Sequence, residues 1–146
     1  MGTNYGLKGL SPIPASHCWP PGHREAGVLP SPRVLIVEDQ LMLGMQLAAA
    51  VQDCGCEPVG PACLVITALP MALHEQLDAA LLDVYLIDQT VEPVADVLVR
   101  RGIPFGFVTA YSRGHLSPAH QMRPYVTKPF TDQEIRFLVT TLTARV

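Results

Sequence analysis

Residues 33–37, Arg-Val-Leu-Ile-Val, read as a strand whose last four residues form an unbroken apolar run, closed at once by two acids, Glu38 and Asp39. A strand with apolar side chains on both faces must be covered on both, so it belongs inside a sheet flanked by helices. The sequence that follows keeps to that requirement. Asp39–Asp53 reads as a helix with Leu43, Leu47 and Val51 on one face and Gly55 as its stop. A short strand is expected at Cys56–Val59, then a helix over Cys63–Glu75 that Pro70 should kink or split in two. Asp78–Asp83 reads as the third strand, Val91, Val94, Ala95 and Leu98 mark a helix ended by Gly102, and Phe105–Thr109 is the fourth strand. Tyr125–Thr127 makes a short fifth strand. Thr131, three residues before Glu134, opens the last helix with a capping box, and Ile135, Leu138, Val139 and Leu142 form its buried stripe.

The alternation of strands and helices predicts an α/β fold, a five-stranded parallel doubly wound sheet with helices on both faces. One helix is weak or missing. Tyr111–Arg123, between the fourth and fifth strands, is polar, contains Gly114 and Pro118, and lacks a sustained apolar face. It reads as an irregular connection in which Ser117-Pro118 opens at most a single turn.

Composition divides the chain near residue 32. Pro12, Pro14, Pro20, Pro21, Pro30 and Pro32 fall before Arg33 together with Gly2, Gly6, Gly9, Gly22 and Gly27, and the apolar residues there follow no period. Residues 1–32 are therefore expected to be a disordered Pro/Gly-rich extension and 33–146 the folded domain. A net charge of −3 gives no basic surplus for a phosphate backbone or an anionic membrane surface. No apolar run approaches the roughly 20 residues that span a bilayer. The first residues lack the cationic start and apolar block of a secretory signal, so a cytoplasmic location is expected. Cys54, Cys56 and Cys63 have no histidine at a zinc-like offset, and together with the isolated Cys18 they read as packing residues.

In a doubly wound sheet, ligands bind at the carboxyl ends of the strands, next to the switch in strand order. Those ends carry Glu38-Asp39 after the first strand, Asp83 after the third, Thr109 at the end of the fourth and Lys128-Pro129 after the fifth. Each has a plain structural explanation alone: acids suit a helix N-terminus, and a lysine suits solvent. Their convergence on one crevice is what needs explaining. Two carboxylates about 4 Å apart repel by roughly 4 kcal/mol at an effective dielectric of about 20, so a cation must offset them. Hard oxygen ligands with room for water suit Mg²⁺, and a lysine with a hydroxyl opposite suits the remaining oxygens of a phosphoryl group.

VLIVEDQ (34–40), LLDVYL (81–86), FVTAY (107–111) and YVTKPF (125–130), in that order, resemble the signature segments of the receiver domains of two-component response regulators. The resemblance covers residues 33–146 and implies the flavodoxin-like strand order 2-1-3-4-5. It also implies roles. Asp83 would accept a phosphoryl group from a sensor histidine kinase or a histidine phosphotransfer protein. Glu38, Asp39, Asp83 and the backbone carbonyl of Tyr85 would hold Mg²⁺, with Glu38 acting through water. Lys128 would pair with the phosphoryl oxygens, and Thr109 and Tyr125 would switch the structure. Tyr85 departs from the asparagine frequent at its position, which bears on rate and access because the metal contact there is through backbone.

The chain ends at Val146, just after the last helix, so the expected output is phosphorylation-dependent protein binding, with a homodimer among the candidate partners. Such a protein assists its own phosphorylation without turning over a separate substrate. A phosphoaspartate hydrolase would need an acid two residues after Asp83, where Tyr85 stands. A flavodoxin-like cofactor carrier would need hydroxyls and glycines where Glu38-Asp39-Gln40 would repel phosphate. A receiver-shaped adaptor working without phosphorylation leaves the complete acid, threonine and lysine set unexplained.

Overall fold

Arg33–Val37 (β1) lies inside a parallel sheet of order β2-β1-β3-β4-β5, as the apolar run requires. The computed structural model describes residues 29–144. The other strands are Glu57–Ala62 (β2), Ala79–Leu82 (β3), Phe105–Thr109 (β4) and Tyr125–Thr127 (β5), and every pairing is parallel. The helices are Leu41–Asp53 (α1), Val65–His74 (α2), Glu92–Arg101 (α3) and Asp132–Thr143 (α4). The chain's contacts divide between Pro30 and Ser31, and every element among the described residues lies in the second unit. The expected disordered extension, residues 1–32, lies outside the described residues up to 28, as does Cys18.

Side chains alternate between two cores. Leu35, Val37, Ala80, Leu82, Phe105 and Phe107 point to the side covered by α2 and α3. Val34, Ile36, Ala79, Leu81 and Val108 point to the side covered by α1 and α4. On α1 the buried residues are Gly44, Leu47, Ala50 and Val51; Leu43, expected on that stripe, is half-buried at its edge. Gly44 lets α1 approach β2, since a Cβ there would stand 2.9 Å from the Pro61 ring. Among the described residues, no helix is long and apolar enough to cross a membrane.

Several boundaries differ from the sequence expectation for physical reasons. β2 continues past Val59 to Ala62, because Gly60 at φ +99° takes up an irregularity in the pairing with β1. A Cβ on Gly60 would lie 2.8 Å from the Ile36 carbonyl oxygen. Pro70 neither splits nor ends α2. The carbonyl it leaves without a helical donor belongs to Ile66, which is 73% exposed and open to water. The N-terminus of α2 is served from afar: the Asp88 carboxylate accepts from the Val65 N–H at 3.1 Å and the Ile66 N–H at 3.4 Å. Thr131 and Glu134 form the expected capping box on α4, and Gly102 ends α3 in the left-handed region.

Between β4 and β5 the chain makes two single-turn 3₁₀ helices, Arg113–His115 and Pro118–His120. Leu116 and His120 fill the space over Phe105 and Phe107. His120 is 2% exposed, and its Nε2 lies 3.1 Å from an Asp96 carboxylate oxygen on α3. Arg113 donates to the carbonyls of Gln121 (2.7 Å) and Arg123 (2.8 Å) and lies over the Tyr125 ring at 4.3 Å.

Candidate functional site

The crevice lies at the carboxyl ends of the paired strands β1 and β3, from which the chain turns to β2 on one side and to β4 and β5 on the other. Backbone hydrogen bonds continue the sheet into the site: the Glu38 N–H donates to the Ala62 carbonyl at 3.0 Å and the Asp83 N–H to the Val37 carbonyl at 2.9 Å. Both acids are thereby fixed at the strand ends. Asp39 falls in the turn before α1, which begins at Leu41 and leaves its carboxylate half-exposed.

Glu38, Asp39 and Asp83 bring one carboxylate oxygen each within 4.8 Å of the others. Lys128 reaches them from the end of β5. Its Nζ lies 2.7 Å from Glu38 Oε1 and 2.9 Å from Asp83 Oδ2. Asp83 Oδ1 accepts from the Val84 N–H at 2.8 Å, and Glu38 Oε2 from the Gln40 N–H at 3.1 Å. Thr109 is buried beside them, its Oγ1 accepting from the Tyr111 N–H at 3.2 Å while its carbonyl accepts from the Lys128 N–H at 2.8 Å. A cavity of about 400 Å³, lined by Gln40, Leu43, Gln46, Ala110, Lys128 and Phe130 among others, opens beside the lysine.

Burial dominates the electrostatics of Glu38, which is wholly inaccessible to solvent. It pushes the carboxyl from its usual 4.5 up to about 7, against the pull of Lys128 and the Gln40 N–H, and Asp83 adds to the rise. For Lys128 burial pulls down, but hydrogen bonds to Glu38 and Asp83 outweigh it and leave the ammonium more strongly protonated than usual. With all three acids ionised, one lysine leaves an excess of two negative charges in the cluster. Hard oxygens in that number and charge fit a divalent ion such as Mg²⁺. Among the described residues the group able to hold a metal is this one, and the cysteines take no part in it.

The structure thus brings Glu38, Asp39, Asp83, Thr109 and Lys128 to one crevice. Tyr85 lies just beyond β3, bridged through its backbone to Thr90. Tyr125 is apart from the acids, half-buried on β5 under the Arg113 guanidinium. Sequence reasoning missed an aromatic group beside the site: the Tyr85 and Tyr111 rings meet edge to face at 4.6 Å, and His115 joins both. The available signal was spacing, since the tyrosines stand two residues after Asp83 and Thr109.

No protein-family model matches the chain, and no curated protein does. Solved structures do. SdrG from Sphingomonas melonis Fr1 is 32% identical, with a TM-score of 0.69 over 80% of this chain and 100% of that one. The receiver domain of the PhyR response regulator from Erythrobacter litoralis is 30% identical, with a TM-score of 0.67 over 77% of this chain and 89% of that one. The receiver domain of a sensor histidine kinase from Pseudomonas aeruginosa PAO1, solved with a magnesium ion coordinated in its active-site cleft, is 20% identical and shares the fold (TM-score 0.65, covering 77% and 98%).

Proposed function

The chain belongs to the receiver domains of response regulators, and on that premise we propose that it takes a phosphoryl group onto Asp83 from the phosphohistidine of a sensor kinase or a phosphotransfer protein. The observation that carries this reading is the Lys128 ammonium resting between Glu38 and Asp83 at 2.7 and 2.9 Å, with Asp39 completing an acidic group within 4.8 Å. An Asp83 carboxylate oxygen bonds to phosphorus as the phosphorus–nitrogen bond breaks, and the electron pair leaves with the donor imidazole. Lys128 has three N–H groups, so it can meet a phosphoryl oxygen while keeping Glu38. The Thr109 hydroxyl, already accepting from Tyr111, retains its proton to donate to another phosphoryl oxygen.

Asp39, Asp83 and the Tyr85 carbonyl would hold Mg²⁺ directly and Glu38 through water, as the donor set suits. When bound, the ion would supply charge neutralisation on the transferring oxygens. The protein's share is positioning. Residues 33–146 form the receiver on this reading and 1–32 an extension, with Thr109 and Tyr125 as the switching residues and output by protein binding in the cytosol.

Incubation with Mg²⁺ and acetyl phosphate, followed by intact mass, tests the assignment. One phosphoryl group is expected, removed by chelating the metal and by Asp83→Asn. Undiminished labelling of the Asp83→Asn protein would overturn it.

A further inference from the structure

Beside the acidic crevice, three rings from two segments of chain touch without being buried. The Tyr85 and Tyr111 centroids are 4.6 Å apart at an interplanar angle of 68°. The His115 ring lies 5.0 Å from Tyr111 and 6.1 Å from Tyr85, and its Nδ1 is 3.3 Å from the Tyr85 hydroxyl. Tyr85 is 37% exposed and Tyr111 43%, and His115 is exposed too. Burial therefore does not explain the cluster; the contacts themselves hold it.

Both tyrosines are also held at their backbones. Tyr85 is bridged to Thr90, and the Tyr111 N–H is bound to Thr109 Oγ1. β3 and β4 are neighbours, with Leu82 level with Phe107, so loops leaving their ends carry Tyr85 and Tyr111 past Asp83 and Thr109 side by side. The edge-to-face pair links those two loops two residues beyond Asp83 and Thr109. The free end of the Tyr85 ring is its hydroxyl, and His115 is what holds it.

We propose that His115 is a positioning residue. By holding the Tyr85 hydroxyl it keeps the Tyr85 ring against Tyr111, and the paired rings limit how readily water reaches a phosphoryl group on Asp83. The proposal rests on the phosphoacceptor reading above. In the step concerned, a water oxygen bonds to phosphorus and the bond from phosphorus to the Asp83 oxygen breaks. The electron pair returns to the carboxylate, and the proton released by water leaves with inorganic phosphate or enters solvent. Because His115 belongs to the connection between β4 and β5, whatever displaces that connection also changes the lifetime of the phosphoryl group.

The test uses the full chain, loaded with acetyl phosphate and Mg²⁺, freed of donor, and followed by intact mass as the label decays. His115→Ala and Tyr85→Phe should each shorten the half-life about two- to fivefold, the effect of losing one partly exposed hydrogen bond. The double variant should decay no faster than either single one, because both remove the same contact. The melting midpoint and Mg²⁺ affinity of His115→Ala should match the parent, which separates positioning from a general loss of structure. Decay of His115→Ala at the parent rate, or additive effects in the double variant, overturns the proposal while leaving the phosphoacceptor reading intact. A parent protein that takes up no label at all overturns both.

Discussion

Glu38 makes the stability of this protein depend on pH in an unusual direction. Its carboxyl is fully buried and titrates near 7 in the folded chain instead of at 4.5. Between those values the folded chain keeps a proton that the unfolded chain has released, so stability falls as pH rises. At about 1.4 kcal/mol per pH unit, the interval corresponds to about 3 kcal/mol, fully expressed once the pH exceeds 7. Lys128 adds nothing to this window. Its raised pKa stabilises the fold fully below the ordinary lysine value of 10.5, and that contribution is lost only as the pH climbs through the folded value. The perturbation is Glu38→Gln, which keeps the shape and cannot ionise. Urea unfolding in the presence of a chelator, from about pH 5 to about pH 8, should show the parent losing about 2.5 kcal/mol relative to the variant, most of that interval. Taking the difference cancels every contribution the two proteins share. Saturating Mg²⁺ should flatten the parent's decline, because a bound cation favours the ionised carboxylate. Parallel curves for the two proteins across that range would refute the reasoning.

Two further substitutions test what surrounds this carboxylate and what anchors the connection between β4 and β5. Lys128→Ala leaves Glu38 buried without its ion pair and should cost about 3–5 kcal/mol in urea unfolding, largely recovered by adding Glu38→Gln. It should keep Mg²⁺ binding yet lose phosphorylation-dependent partner binding, and the reverse pattern would invert the role given to the lysine. His120→Ala removes the ring that packs on Phe105 and Phe107 and meets Asp96, and should cost about 2–4 kcal/mol while speeding amide exchange over residues 113–123. Exchange unchanged in that segment would show that His120 is not its anchor.

The strands were legible because their requirement is local. Val34–Val37, Ala79–Leu82 and Phe105–Thr109 are buried throughout, and a run of apolar residues reads the same whatever packs on it. The gathering of Glu38, Asp39, Asp83, Thr109 and Lys128 was legible for a different reason: a parallel sheet sends all its carboxyl ends to one edge, so strand-end residues meet whatever the helices between them do. Features that depend on distant partners were not. Asp88 caps a helix whose first residue is 23 positions earlier, and nothing near Val65 announces it. Gly60 and Pro61 read as the end of a strand because a turn and a bulge use the same residues, and only the pairing with Ile36 and Val37 distinguishes them.

The connection between β4 and β5 illustrates the same division within one segment. Leu116 and His120 stand at helical spacing, and both are buried, so an inward face does exist. Half of it is an imidazole, which counts as polar in any search for an apolar stripe but presents a ring to Phe105 and Phe107 once Asp96 meets its Nε2. Pro118, between the two, has no N–H to give to a preceding turn, and the chain closes its two short turns separately. The backbone hydrogen bonds a helix would have made are replaced in part by the Arg113 guanidinium, which holds the carbonyls of Gln121 and Arg123 and covers Tyr125. A segment secured by side chains in this way can be released by losing a few contacts, whereas a packed helix must lose its ladder. His115 and Tyr111, at the start of the segment, meet Tyr85 just beyond Asp83, so release at Arg113 or His120 would be felt beside the acidic crevice.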